Sequence, residues 1–391
     1  MAMPPALPAD PTAPFVLLDD ARPGVAGEAT LYRDPVEVIR ADTLDAVPAA
    51  LDALSAAGRR GLHAAGYLTY EAGHALLPRH LKSVTTSDGP LLWFGLFEEA
   101  HTVPAGSVPT LLPAPSETGI GEITPTIIRS DYDAAIARVL GYIRAGDIYQ
   151  ANLTFPSHLA MSRDPLAAYA AIRPRAAAGH GGIVRHDGRH LLSFSPELFF
   201  TLDEDRRIVT RPMKGTAARD PTPETDRALA EALARDPKQR AENLMIVDLL
   251  RNDISRVAEA GSVHVPELFA VESYPTVHQM VSQVEGRLRQ GLGPVDVLRA
   301  LFPCGSITGA PKLRAMEVIG EVERHPRGVY TGSIGAISPD GNARFNVAIR
   351  TICVNEEGAG TIGLGSGIVA DSRAEDEWLE CLAKGRFLAG H

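Results

Sequence analysis

Cysteine is scarce in this chain. There are three in 391 residues, Cys304, Cys353 and Cys381, too few and too far apart for a disulfide framework or a cysteine zinc site. Positive charge is in deficit: 38 Lys and Arg stand against 48 Asp and Glu, a formal charge of −10. That disfavours general nucleic-acid binding, which needs clustered Lys and Arg to neutralise phosphates. No stretch of 18 consecutive apolar residues occurs, so no membrane-spanning helix is expected. The opening MAMPPALPADPTAPF has neither the basic nor the long apolar segment of a signal peptide; residues 1–14 read as a disordered arm. GxSxG, HExxH and GxxxxGK[ST] are missing, which removes motif support for serine hydrolases, zincins and P-loop enzymes; the glycine run 363–367 does not make GxGxxG and has no clear helix directly after it, which argues against a Rossmann site. The expectation is a cytoplasmic globular protein, long enough to bury a sizeable core.

Apolar patterning supplies the architecture. Phe15–Leu18 and Leu91–Phe97 read as buried strands. Leu44, Val47, Leu51 and Leu54 recur at helical spacing, with Pro48 in the first turn, where its missing N–H costs least. Residues 103–125 are rich in Pro, Gly, Ser and Thr and read as a loop or linker. They set a soft boundary between an N-terminal subregion, 15–121, whose strands can pair with later ones, and a region 122–391. In the latter, Asp131–Ala145, Pro221–Asp236, Ala241–Leu250 and Glu375–Phe387 read as helices. Tyr149–Phe155, His190–Leu202, Gln279–Val284, Tyr330–Ile337, Phe345–Val354 and Gly360–Ile368 read as strands. Helices do not separate every pair of strands, which predicts an α+β fold with largely antiparallel sheets.

Several segments could carry chemistry. Glu377, Glu380 and Lys384 fall on one helix face; they make a solvated ion-pair surface or hold a divalent cation through carboxylate oxygens. Glu242 opens a helix, a normal dipole choice as well as a possible ligand. Lys214, in RPMKGT beside a strand, is an ordinary surface lysine or a nucleophile whose pKa burial lowers. The segment CGSITGAPK, 304–312, places small residues before Pro311, a favoured helix start, and so offers backbone N–H groups to an anion. The glycines of 363–367 offer the same, or merely loosen a strand end.

Taken in order, GDIYQANL (146–153), SPELF (195–199), RPMKGT (211–216), AENLMIVDLLRND (241–253), CGSITGAPK (304–312), YTGSIG (330–335), FNVAIRT (345–351) and GSGIVADS followed by EWLE and Lys384 resemble the chorismate-utilising enzymes. The likeness covers about two thirds of the chain, from about 130 to 387. FVLLDDAR, GYLTYEAGHAL and LLWFGLFE in the N-terminal part are similar to the shorter aminodeoxychorismate synthase components. The resemblance implies two large, mostly antiparallel sheets packed as a sandwich with helices outside.

It also implies site roles. Glu197 would be the general acid at the departing C4 hydroxyl, and His278, in VHQMVS, would lie near that hydroxyl. Lys214 would add covalently to C2 of chorismate. Water-using members carry a lysine base where this chain has Gln150, and an amide cannot act as that base; Gln150 therefore points to ammonia as nucleophile. Arg350 and Tyr330 would hold the enolpyruvyl carboxylate. Thr308, Lys384 and the backbone of Gly365 and Gly367 would hold the ring carboxylate. Glu242 and Glu380 would ligate Mg²⁺ directly and Glu377 through water, with Gln239 standing where a further Glu is common. The implied product is 4-amino-4-deoxychorismate, leading to 4-aminobenzoate and folate. No glutaminase motif is recognised in the chain, so a glutamine amidotransferase subunit is the expected partner. No regulatory tryptophan motif is recognised in 15–60, so no tryptophan inhibition is expected.

Overall fold

The computed structural model describes residues 5–24, 27–77, 89–115, 119–162, 164–274 and 277–388. Two ten-stranded sheets form its centre, and every strand pairing in them is antiparallel. The first runs from the two-residue strand Gly309–Ala310 through Gln150–Ala160, Ala359–Ile368, Thr351–Val354, Arg189–Ser193, Gly181–His186, Phe15–Asp19 and Glu28–Arg33 to His101–Pro104. The second runs from Met213–Ala218 through Val277–Arg287, Arg207–Arg211, Leu198–Leu202, Ala343–Asn346, Ser333–Ile337, His63–Leu68 and Leu92–Phe97 to Glu37–Ala41. Strands of the N-terminal subregion pair with strands beyond residue 122 in both sheets, Phe15–Asp19 with Gly181–His186 and His63–Leu68 with Ser333–Ile337.

Three apolar clusters define the layers. Val16, Tyr32, Val184 and Leu191 of the first sheet meet Ala65, Tyr67, Trp93 and Ile334 of the second between the sheets. Leu17, Ile183 and Leu192, on the opposite face of the first sheet, pack under the helix Pro165–Ala176 through Leu166, Tyr169 and Ile172. The outer face of the second sheet takes the helices Val47–Arg59, Pro237–Ser255 and Pro294–Leu301, with Phe94, Phe200 and Phe345 at its centre. Leu92–Phe97 is buried along its whole length because both its faces are covered.

Two runs that read as single strands each belong to both sheets. His190–Leu202 divides into Arg189–Ser193 in the first sheet and Leu198–Leu202 in the second. Phe345–Val354 divides likewise into Ala343–Asn346 and Thr351–Val354. Apolar periodicity is blind to such a switch, because the chain stays buried while it changes sheets.

Other boundaries move by physical cause. Residues 103–125 do not act as a separator. They contain the helical turn Val108–Leu111 and the edge strand Thr124–Pro125, and Val108 and Leu112 are buried against the first sheet's outer face. Residues 1–4 of the expected arm lie outside the described residues. Beyond them Arg33 donates to the Ala6 carbonyl and Arg185 to those of Asp10 and Ala13, which ties that part of the arm down. Among the described residues no helix is long and apolar enough to cross a membrane.

Trp93 stacks on His186 at 4.6 Å across the two sheets, and the Tyr67 hydroxyl lies 3.1 Å from the same ring. Replacing Trp93 by Ala removes the largest side chain of this layer and is expected to lower stability by about 3–5 kcal/mol, measured as a shifted midpoint in urea unfolding.

Candidate active site

The two sheet-switching segments run side by side. Ser195 Oγ donates to the Val347 carbonyl at 2.6 Å, Val347 N–H to the Glu197 carbonyl at 3.0 Å, and Phe194 N–H to the Arg350 carbonyl at 2.9 Å. Arg350 has φ of 50°, a left-handed conformation that an L-residue holds only when its surroundings demand it. Glu197 and Arg350 thus stand on the two crossings.

Glu197 is buried and accepts a 2.7 Å hydrogen bond from Ser306 Oγ. Ser306 belongs to the single turn Gly305–Ile307, inside the CGSITGAPK segment. Burial pushes the Glu197 carboxyl up, against the pull of the Ser306 bond and of the Lys214 and Lys384 charges. Burial pushes Lys214 the other way, down, opposed by Glu197 while the Lys384 charge adds to the lowering. Desolvation therefore moves both groups in the direction of their neutral forms.

The loop carrying Lys214 is clamped. Gly215 has φ of 84°, and a Cβ there would come within 2.9 Å of Gln239 Oε1. Gln279 Nε2 donates to the Gly215 carbonyl at 2.7 Å, and Thr216 Oγ1 donates to Gln279 Oε1 at 3.0 Å. His278, one residue earlier on the same strand, faces elsewhere, since successive strand residues alternate. Its ring nitrogens are engaged by Ser273 at 2.8 Å and Asp226 at 2.9 Å. From VHQMVS, then, it is Gln279 that reaches the Lys214 loop.

Gln150 is 0% exposed, and among the described residues neither polar atom of its side-chain amide has a hydrogen-bond partner. It sits over Gly367, where a Cβ would lie 3.0 Å from Gln150 Nε2 and 3.2 Å from Asn152 Oδ1. Thr308 is joined to the same strand through its carbonyl, which accepts from Asn152 N–H at 2.9 Å, while its hydroxyl donates to the Cys304 carbonyl. Lys384 Nζ donates to the Gly365 carbonyl and pairs with Glu380, both at 2.8 Å. The Tyr330 ring is buried against Gly363, where a Cβ would fall 2.0 Å from its Cγ. Burial lowers the Arg350 guanidinium, and among the described residues no carboxylate pairs with it; its Cζ lies 5.8 Å from the Phe387 ring centre.

The acidic residues are more dispersed. Burial raises Glu242, and the Asp371 and Glu377 charges raise it further against Lys214 and Lys238. Glu377 accepts from Ser372 Oγ at 2.6 Å, and Lys238 pairs with Asp371 at 2.9 Å. Among the described residues, no three acidic, histidine or cysteine side chains gather at one point to hold a metal ion. Lys312, from the candidate anion-binding turn, is occupied by Asp253 at 2.5 Å and the Leu301 carbonyl at 2.7 Å. Ser306 and Gln279, to which the sequence assigned no role, hydrogen-bond Glu197 and the Gly215 carbonyl. Their motifs carried the signal, but only strand register and turn geometry separate Gln279 from its neighbour.

The model of the chorismate binding enzyme family matches residues 13–390. The chain belongs to this family. Over 256 residues it is 46% identical to aminodeoxychorismate synthase component 1 of Escherichia coli, an alignment spanning 66% of this chain and 56% of that protein. Over 265 residues it is 44% identical to the chloroplastic aminodeoxychorismate synthase of Arabidopsis thaliana, covering 67% of this chain and 29% of the plant protein. A Haloarcula marismortui protein named anthranilate synthase component 1 2 is 42% identical over 255 residues, 64% of this chain and 47% of that one. The fold is that of anthranilate synthase component I from Streptococcus pneumoniae, with a TM-score of 0.77 at 24% identity, covering 100% of this chain and 95% of the other.

In a chorismate-binding enzyme the Tyr330–Gly363 contact should govern ligand fit. Gly363→Ala forces the ring aside and is expected to weaken chorismate binding about tenfold or more while the protein stays folded. Calorimetric titration beside a thermal melt checks both.

Proposed function

We propose that the chain is the chorismate-aminating component of an aminodeoxychorismate synthase, converting chorismate and ammonia to 4-amino-4-deoxychorismate. One observation carries the reading: Lys214 and Glu197 share a buried site that moves each toward its neutral form. Protonated Glu197 gives its proton to the C4 hydroxyl, which leaves as water. The Lys214 amine uses its lone pair to form a bond to C2 as both ring double bonds shift toward C4 and the C4–O bond breaks. Ammonia then attacks C4, both double bonds return, and the C2–N bond breaks, releasing Lys214 as an amine. The proton gained with ammonia passes to the Glu197 carboxylate, so chorismate and ammonia yield product and water.

The other residues support this assignment. Gln150 brings a polar amide with no useful basicity to a buried position, which disfavours activation of water. Arg350, half-buried and without a carboxylate partner among the described residues, suits the enolpyruvyl carboxylate, since its fork can bind bidentately; Tyr330 would line the same end. Lys384, Thr308 and the backbone at Gly365 and Gly367 suit the ring carboxylate. The aminodeoxychorismate synthase names of the bacterial and plant relatives point the same way.

Carboxylate oxygens are the donors a hard divalent cation takes, and Glu242, whose charge burial and neighbouring acids disfavour, would gain from one. In this reading Glu242 and Glu380 would hold Mg²⁺ and Glu377 would reach it through water. When bound, the ion would neutralise the acids and polarise the ring carboxylate. A glutamine amidotransferase subunit would supply the ammonia, and the product would feed 4-aminobenzoate and folate synthesis in the cytoplasm. Anthranilate synthesis is the second reading, favoured by the Haloarcula relative; Lys214, where anthranilate synthases typically carry a small residue, speaks against it.

Mass-resolved product analysis with chorismate, Mg²⁺ and ammonium at about pH 8.5, where part of the ammonium is free ammonia, tests the reading. The expected product is converted to 4-aminobenzoate by a lyase; anthranilate or isochorismate would overturn the assignment. Lys214→Ala and Glu197→Gln should each lower turnover by about 10²–10⁴-fold. The sign of the pH dependence follows from the shifts. Rising pH through the lowered Lys214 value frees the amine and favours the rate, while rising pH through the raised Glu197 value removes the acid's proton and opposes it. Turnover measured at constant free ammonia should therefore be bell-shaped, and each variant should lose one limb.

A further inference from the structure

Arg327 lies outside the Lys214–Glu197 cluster, yet it joins three of the segments that build the site. It is buried, and each of its five N–H groups has a partner. Nε and Nη2 donate to the two carboxylate oxygens of Glu323, both at 2.8 Å. Nη2 also donates to the Asn152 carbonyl at 2.9 Å. Nη1 donates to the Ile307 carbonyl at 3.1 Å and to Thr331 Oγ1 at 3.4 Å. Glu323 Oε1 accepts from Thr154 N–H at 2.8 Å, so the same ion pair grips the 150–160 strand twice. The guanidinium lies 4.3 Å from the centre of the Tyr70 ring. Behind it, Glu71 accepts from the N–H groups of Arg327 at 2.7 Å and Gly328 at 3.1 Å.

The three segments are those of the proposed chemistry. Asn152 is two residues from Gln150 on one strand face. Ile307 lies between Ser306, which holds Glu197, and Thr308. Thr331 follows Tyr330. We propose that Arg327 is a positioning residue for the amination reaction, fixing the strand of Gln150, the turn of Ser306 and Thr308, and Tyr330 in one mutual register. This inference rests on the proposed function. A guanidinium is suited to the task because its donors are fixed in one plane; an ammonium at the same place offers three donors around a single point and cannot span the same acceptors. The carbonyls of Asn152 and Ile307 that it holds would otherwise be buried polar groups in need of a partner.

The test is Arg327→Lys, which keeps the charge and loses the fork. Turnover of chorismate is expected to fall about 10²-fold, the size of effect that misplacement by about 1 Å produces. A second readout separates positioning from bulk stability. The groups facing the Glu197 carboxyl are Ser306, Lys214, Lys384 and Cys304. If the Ser306 turn loosens, Glu197 loses a donor that lowers its pKa, so the limb of the pH–rate profile that Glu197→Gln abolishes should move to higher pH at constant free ammonia. A lowered melting temperature with turnover and limb unchanged would make Arg327 merely structural and overturn the proposal. If Arg327→Lys does not fold, Glu323→Gln keeps the shape and weakens the same ion pair. It should shift turnover and limb in the same directions by less, and no shift in either would again overturn the proposal. Failure of the unaltered protein to aminate chorismate would count against the proposed function instead.

Discussion

The hydrogen bond from Ser195 Oγ to the Val347 carbonyl pins together the two places where the chain leaves one sheet and enters the other. Without a paired crossing, each strand run would have to end at the sheet edge and leave buried backbone groups unmatched, and such groups are rarely tolerated. Pairing the crossings solves this with three main contacts. It also gives the fold an irregular spot in an otherwise regular sandwich. Irregular backbone held by a rigid scaffold is where functional side chains are best displayed. Glu197 stands on one crossing, and Arg350, with its left-handed backbone, on the other.

The electrostatics follow from that placement. A carboxylate and an ammonium in water would both be charged at neutral pH. Taken between the sheets, each loses hydration, and the opposing charge only partly replaces it. Desolvation is the leading cause of both shifts, and it moves the Lys214 amine and the Glu197 carboxyl in the directions the proposed chemistry needs. An excess of negative charge over the whole chain is compatible with an anionic ligand, because the local field is set by Lys214, Lys384 and Arg350 rather than by net charge.

Much of this was legible in the sequence, and what was not has identifiable causes. The helices with periodic apolar faces are where the spacing puts them: Tyr132, Ile136 and Val139 are buried on Arg129–Arg144, and Pro48 lies in the first turn of Val47–Arg59. Antiparallel sheets were inferable from strands not separated by helices. The sheet switches were hidden, since burial is continuous through Ser193, Phe194 and Ser195. Composition marked 103–125 as loop, but Pro and Gly mark turns, and turns can pack: Val108 and Leu112 are buried. At the candidate site, motif likeness singled out residues with ionisable groups and passed over Ser306 and Gln279, which the structure places in hydrogen bonds with Glu197 and the Gly215 carbonyl. The choice between His278 and Gln279 depends on which face of one strand meets the Gly215 peptide, and a one-residue difference reverses the answer.

The N-terminal subregion shows why the site cannot be assigned to the later residues alone. Its strands complete both sheets, and its Glu71 is held in the interior by N–H groups of Arg327 and Gly328. Burial pushes the Glu71 carboxyl up to about 7, against the lowering effect of those N–H groups and the Arg327 charge. A buried acid, a buried guanidinium and the acid of Glu323 make a network in which each charge is offset only while the others stay in place. Removing one partner would leave an uncompensated buried charge, the costliest way to break such a set. The conformation of the 323–331 loop, and through it the Ser306 turn, is thus coupled to a segment some 250 residues earlier in the chain. The dense strand pairing that makes the two halves inseparable also holds the chemistry in register.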